Sequence, residues 1–181
     1  MTKERLRFQC VGEIVGSDDM AIITLTDEPR ERMITIVCDK AMAVQLELRA
    51  KHVPITRIML PEVLSTVLKD QAGVQLELLI NDVVDGQYRT VLFNKNTFDT
   101  IPLRASDAVL LSIASQIPLY IESSLMARQS VRYSGLLRGV SIPVNTLSEE
   151  MLEQALKKAV EDENYELASQ LRDEQKRREK K

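Results

Sequence analysis

The stretch Val74–Phe93, VQLELLINDVVDGQYRTVLF, sets the fold class. Val74, Leu76, Leu78 and Ile80 alternate with Gln75, Glu77, Leu79 and Asn81, the period of two of a strand with one buried face. Asp85-Gly86 is a two-residue hairpin signal, and Tyr88–Phe93 returns as the partner strand. Toward the N-terminus, Leu6, Phe8, Cys10 and Ile14 give a strand, Met20–Thr26 a second and Met33–Cys38 a third. Gly16-Ser17-Asp18-Asp19 is a turn cluster, and Asp27–Glu31 a charged loop. Between these strands and the hairpin the period changes. Asp39 is placed to cap a helix with apolar positions Met42, Val44, Leu46 and Leu48. Val53-Pro54-Ile55-Thr56 reads as an extended linker, because the residue before proline disfavours helix. Pro61–Gln71 is a second helix with the stripe Val63, Leu64, Val67 and Leu68.

Beyond the hairpin, Phe98–Leu103 is a strand and Ala105–Gln116 a helix with Ser106 as candidate N-cap. Pro118 opens a short strand to Ile121, and Ser123 or Ser124 caps one more helical turn. The order βββ-αα-βββ-α-β-α predicts an α+β domain: a mixed, mostly antiparallel sheet with packed helices. Ser130–Asn145 lacks periodicity, holds Gly135, Gly139 and Pro143, and reads as a linker. From Glu149 to Lys181 there is no glycine or proline and charge is dense. Thr146-Leu147-Ser148-Glu149 fits a capping box. Leu152, Leu156, Ala159 and Val160 line one helix, and Tyr165, Ala168 and Leu171 another, predicting a C-terminal α-helical hairpin. Its apolar face is too small to stand alone, so it calls for a partner surface or a second copy; a solvated tail is the competing reading. The expected division is a domain over 1–134, a linker over 135–145 and the hairpin over 146–181.

Composition narrows the function classes. The 181 residues are 44% hydrophobic and carry a net charge of −3 from 24 basic and 27 acidic side chains. That excludes a strongly basic nucleic-acid binder on bulk charge, though not a local basic patch. Two cysteines, Cys10 and Cys38, lie in apolar runs and read as buried thiols. His52 is the only histidine, which argues against structural zinc and a histidine-based triad. Met1–Phe8 is charged and reads as no signal peptide, and no apolar run approaches a membrane span. A cytoplasmic protein with no membrane partner is expected. Three Phe and four Tyr are dispersed, so no base-stacking platform is indicated. The glycines fall in turns and the linker, not in a phosphate-cradling loop.

Arg104-Ala105-Ser106-Asp107-Ala108-Val109, followed by Ile117-Pro118-Leu119-Tyr120-Ile121, resembles the signature of the bifunctional nuclease (BFN) domain family. Pro54-Ile55-Thr56 and Ala41-Met42-Ala43 match further pieces of that pattern in order, across roughly Leu6 to Arg128. The resemblance implies an α+β fold, a homo-oligomer, and nuclease activity on DNA and RNA. It departs where the family has Thr-His-Asp-Leu, since Thr56 is followed here by Arg57, Ile58 and Met59. It departs again where the family has a glutamate, since Cys38 stands there and Asp39 one residue on. The tail, with Leu152, Leu156, Ala159, Tyr165-Glu166-Leu167-Ala168 and Leu171-Arg172-Asp173, looks like the UVR motif of excision-repair B and C proteins. That similarity implies protein contacts at Leu156, Tyr165, Ala168, Leu171 and Arg172, although Gln175 and Arg178 replace apolar residues of the motif.

Phosphodiester hydrolysis without a nucleophilic side chain calls for divalent metal held by carboxylates and for cationic donors to the phosphoryl charge. Arg104, Ser106 and Asp107 form the best local set. Asp107 is the candidate for a metal (magnesium or manganese) or a water, Arg104 for phosphate, and Ser106 for either. The same residues suit helix capping and dipole stabilisation; capping is the stronger reading for Ser106, and the two readings of Asp107 balance. Arg57, with Arg49, Lys51 and His52, is a candidate phosphate-binding cluster, against the alternative of a solvated helix end. The leading expectation is hydrolysis of DNA or RNA, linked to repair or stress response. Its rival is a catalytically inactive scaffold acting through protein contacts of the tail.

Overall fold

The computed structural model describes residues 2–14, 19–69, 73–133, 149–161 and 164–179. Among them, eight strands run as β1 (Lys3–Glu13), β2 (Met20–Asp27), β3 (Arg32–Asp39), β4 (Leu76–Val84), β5 (Gln87–Asn94), β6 (Thr100–Arg104), β7 (Leu119–Glu122) and β8 (Val131–Arg132). Six α-helices are α1 (Lys40–Ala50), α2 (Leu60–Lys69), α3 (Ala105–Ser115), α4 (Ser123–Gln129), α5 (Glu149–Glu161) and α6 (Tyr165–Glu179). All strands join one sheet in the order β6-β5-β4-β7-β1-β2-β3-β8. The β4–β7 pair is parallel and the other pairs are antiparallel, so the expected mixed, mostly antiparallel α+β fold is present. Among the described residues no helix is long and apolar enough to cross a membrane.

The β4–β5 hairpin closes at Asp85 (φ 50°) and Gly86 (φ 74°), the left-handed pair that matches the twist of two strands. Leu78 and Ile80 are fully buried there, against Ile23, Leu25, Ile34, Leu46, Val109 and Ile121. Strand β2 is buried at every position from Ala21 to Asp27, hence on both faces. One face meets this core. On the other, Ile22 lies directly opposite Val37, and Val37 packs against the cluster Leu152, Ala159, Ala168 and Leu171 of the C-terminal hairpin.

Several local expectations change. In α1 the buried residues are Met42, Ala43, Leu46 and Arg49, while Val44 is half exposed. The apolar series Met42, Val44, Leu46 and Leu48 steps by two, and a helix faces residues three and four apart. Pro54–Ile58 is a 3-10 helix, not an extended linker: the steric restriction falls on Val53, and the Thr56 hydroxyl donates to the Val53 carbonyl at 2.9 Å. Helix α2 is amphipathic as expected, but Ser65 is buried while Val63, Leu64 and Val67 are about half exposed. Phe98 lies outside β6, exposed, in a left-handed turn. Arg104, not Ser106, occupies the N-cap of α3, and Ser106 is buried in its first turn. Glu122 precedes α4, so neither Ser123 nor Ser124 caps it. Val131 and Arg132 leave the expected linker to pair with β3. The turn at Gly16-Ser17-Asp18, most of that linker and the capping box at Thr146–Ser148 lie outside the described residues. In the hairpin, Val160 is half exposed and Tyr165 exposed, while Leu152, Ala159, Ala168 and Leu171 are buried.

Glu77 shows the largest departure from alternation, because its side chain is 3% exposed on the face away from Leu78. Lys3 and Lys95 grip its carboxylate, Lys95 at 3.0 Å, and Lys3 also lies 4.5 Å from the Tyr120 ring centre. Burial alone pushes the Glu77 carboxyl up, but the two ammonium groups outweigh it and hold the group below its ordinary 4.5. A depressed carboxyl contributes stability above its unfolded value, lost as pH falls through the folded one. Glu77→Gln should therefore cost about 1–3 kcal/mol at neutral pH. In urea titrations the gap between wild type and variant should narrow as pH drops below 4.5. A gap independent of pH would mean that the pairs contribute nothing.

Candidate active site

The end of β3 and the start of α3 come together although far apart in sequence. Asp39 Oδ1 accepts from the Met42 backbone N–H at 2.7 Å and caps α1. Its Oδ2 lies 3.8 Å from an Nη1 atom of Arg104. Arg104 Nε and Nη2 donate to the two oxygens of Asp107 at 2.7 and 3.1 Å, a forked pair. The bond to Asp107, followed by its charge, pushes the Arg104 guanidinium above its ordinary value. One arginine thus stands between two carboxylates.

Asp39 and Arg104 border a cavity of about 620 Å³, walled by Ile36, Cys38 and Asp39 on one side. Gln87, Arg89 and Val91 of β5, with Pro102, Arg104 and Ser106, form the other side. Tyr88 and Thr90 also line it, and their buried hydroxyls have no hydrogen-bond partner among the described residues. Burial, then the charge of Asp39, pushes the Cys38 thiol up to about 11, which disfavours the nucleophilic thiolate.

Sequence reading finds Arg104, Ser106 and Asp107; Arg104 and Ser106 line the cavity with Asp39, and Asp107 is joined to it through its pair with Arg104. That reading misses Arg89. That residue is exposed between Arg104 of β6 and Asp82 of β4, directly opposite each in its ladder, and makes no ion pair among the described residues. Only the register reveals the pairing; nothing local to Arg89 announces it.

A protein-held magnesium or manganese ion does not fit this donor set. Among the described residues no three His, Cys, Asp or Glu side chains gather to hold a metal. The two available carboxylates, Asp39 and Asp107, already face a guanidinium that repels a cation.

The expected phosphate cluster separates. Arg49 is buried, donating to the Gln45 carbonyl at 2.8 Å, to Gln45 Oε1 at 3.0 Å and to Glu62 Oε2 at 2.7 Å. It clamps α1 to α2 and does not join a surface patch. Lys51 pairs with Glu47 at 2.9 Å, and His52 (φ 51°) and Arg57 are exposed. The tail residues also divide. Ala168 and Leu171 are buried in the hairpin's own cluster with Leu156 against it, leaving Tyr165 and Arg172 outward. Arg49→Ala should lower stability by about 3 kcal/mol, because it strands the Glu62 carboxylate. Arg57→Ala should move it by less than about 0.5 kcal/mol. Chemical denaturation of both variants checks the contrast, and equal midpoints would refute the clamp.

Compared with family models, residues 23–134 match the bifunctional nuclease domain and residues 145–181 match the UvrB/UvrC motif. No curated protein matches the chain.

Proposed function

The chain belongs to the bifunctional nuclease domain family, and from that premise we propose that its cavity binds and cuts the phosphodiester backbone of DNA or RNA. The observation that carries this reading is the Arg104 guanidinium held by Asp39 and Asp107 at the rim of the cavity. An incoming phosphate takes the place of a carboxylate on Arg104 and gains Arg89 beside it. The displaced Asp107 then accepts the proton of a water that attacks phosphorus, while the bond to the leaving sugar oxygen breaks and that oxygen takes a proton from solvent. Ser106 is the hydrogen-bonding group at the start of the helix. Any divalent-ion dependence reflects an ion carried by the substrate phosphates rather than one held by the chain. The UvrB/UvrC motif supports a setting in repair or stress response, and the free cysteines Cys10 and Cys38 support a reducing, cytoplasmic one.

The test is a cleavage assay on single- and double-stranded DNA and RNA, with magnesium, manganese or chelator. Asp107→Asn and Arg104→Gln should each lose activity by about 100-fold or more while keeping a near-native melting temperature. Undiminished cleavage by both variants would overturn this site. The complete engagement of Arg104 by two carboxylates favours one other reading, an inactive scaffold whose exposed Tyr165 and Arg172 contact a protein partner. Absence of cleavage by the wild type, with loss of a captured protein on Tyr165→Ala, would establish that reading instead.

We also propose that the chain forms a homo-oligomer through α2. Ile55, Ile58, Leu60, Val63, Leu64 and Val67 are 47–75% exposed on consecutive turns. The nearby charge of Glu62 is turned inward to Arg49. An aliphatic face of this kind, with Arg57 its one exposed charge among the described residues, between Ile55 and Ile58, suits a second copy of itself. Leu64→Glu should reduce the mass seen in sedimentation velocity; an unchanged mass would exclude this face as the interface.

A further inference from the structure

A second concentration of arginines lies at the opposite edge of the sheet, outside the proposed cleavage site. Arg32 opens β3 and lies directly opposite Arg132 of β8. Directly opposed like charges destabilise a sheet, so the pair has no structural benefit as it stands. Arg32 is compensated: its Nε donates to Asp27 at 3.0 Å, and Glu4 pairs with its Nη2. Arg132 is exposed and has neither an ion pair nor a hydrogen bond to its side chain among the described residues. Arg30 is in the same condition, held at φ 60° in the turn before β3. Arg30, Arg32 and Arg132 line one concavity of about 670 Å³, with Ser130 and Tyr133, and among the described residues Glu31 is the only acid at its wall. With Arg32 neutralised by Asp27 and Glu4, Arg30 and Arg132 are the two cations of the hollow that make no ion pair among the described residues.

We propose that this hollow is an anion-binding exosite that takes backbone phosphates of the nucleic acid, with Arg30 and Arg132 as its free donors. The proposal rests on the nucleic-acid reading given above and adds a second contact to it. Strand β3 fixes the spacing, since Arg32 is its first residue and Asp39, at the cleavage site, its last. Seven residue steps at about 3.3 Å give a span of about 23 Å. A polynucleotide reaches both places; a dinucleotide reaches one.

The experiment measures binding, not cleavage. Fluorescence anisotropy of a labelled 20-nucleotide single strand is followed across a salt series, in chelator. The proteins are the full chain and its Arg30→Gln/Arg132→Gln and Arg30→Lys/Arg132→Lys variants. Loss of two phosphate contacts should make the slope of log affinity against log salt shallower by about 1.4. The lysine variant should restore the slope. An unchanged slope in the glutamine variant overturns the exosite even where cleavage depends on Asp107. Binding that depends on the exosite in a protein whose cleavage ignores Asp107 would instead retain the exosite and remove the proposed cleavage site. If inorganic phosphate binds the wild type and not the glutamine variant while the salt slope for the strand is the same in both, the hollow is a site for free phosphate and the proposal fails. Absence of binding by the wild type also overturns it.

Discussion

The parallel junction between β4 and β7 is the constraint on which the molecule depends. It joins a three-strand meander, β6-β5-β4, to the block β7-β1-β2-β3-β8. Leu78, Ile80, Leu119 and Ile121 meet across it and are almost wholly buried, and the Leu78 amide donates to the Pro118 carbonyl at 2.9 Å. Parallel neighbours need a long crossover, and here β5, β6 and α3 supply it. That detour delivers the first turn of α3 to the end of β3. Arg104 and Asp107 reach Asp39 because the sheet is assembled through this seam, not because anything local attracts them.

Charge follows the same architecture. The two outermost ladders each carry an arginine directly opposite an arginine: Arg89 with Arg104, and Arg32 with Arg132. In each pair one member is neutralised by two carboxylates and the other makes no ion pair among the described residues. Near the middle of the sheet the buried Glu77 carboxylate is instead held by Lys3 and Lys95, both partly exposed. Positive potential is therefore kept to the rims, where a polyanion can approach, although the chain is acidic in total.

Much of this was legible. Alternation and Asp85-Gly86 specify the central hairpin, and Asp39 announces the start of α1, because both signals act within a few residues. Signals fail where the deciding partner is distant. Arg49 looks like a surface cation until Glu62 folds against it. The stripe of α2 looks like a core face until it is found turned outward, and periodicity alone does not say which side of a helix meets the protein. Ser106 has the chemistry of a cap, but the strand before it runs through Arg104, which leaves the serine inside the first turn rather than at its start. Within the candidate site, the contiguous piece Arg104–Asp107 is visible in the sequence, whereas Arg89 and Asp39 enter through strand register and topology.

Asp39 divides one carboxylate between two tasks, since one oxygen closes the first turn of α1 and the other faces Arg104. A screen that scores only activity would confuse the two, because alanine there removes a helix stop and a site charge together. Asparagine keeps an oxygen for the Met42 amide while surrendering the negative charge, so it separates them. Fold and chemistry are hinged on a single side chain, and the tolerance of this position to change reports on whichever of them is closer to failing.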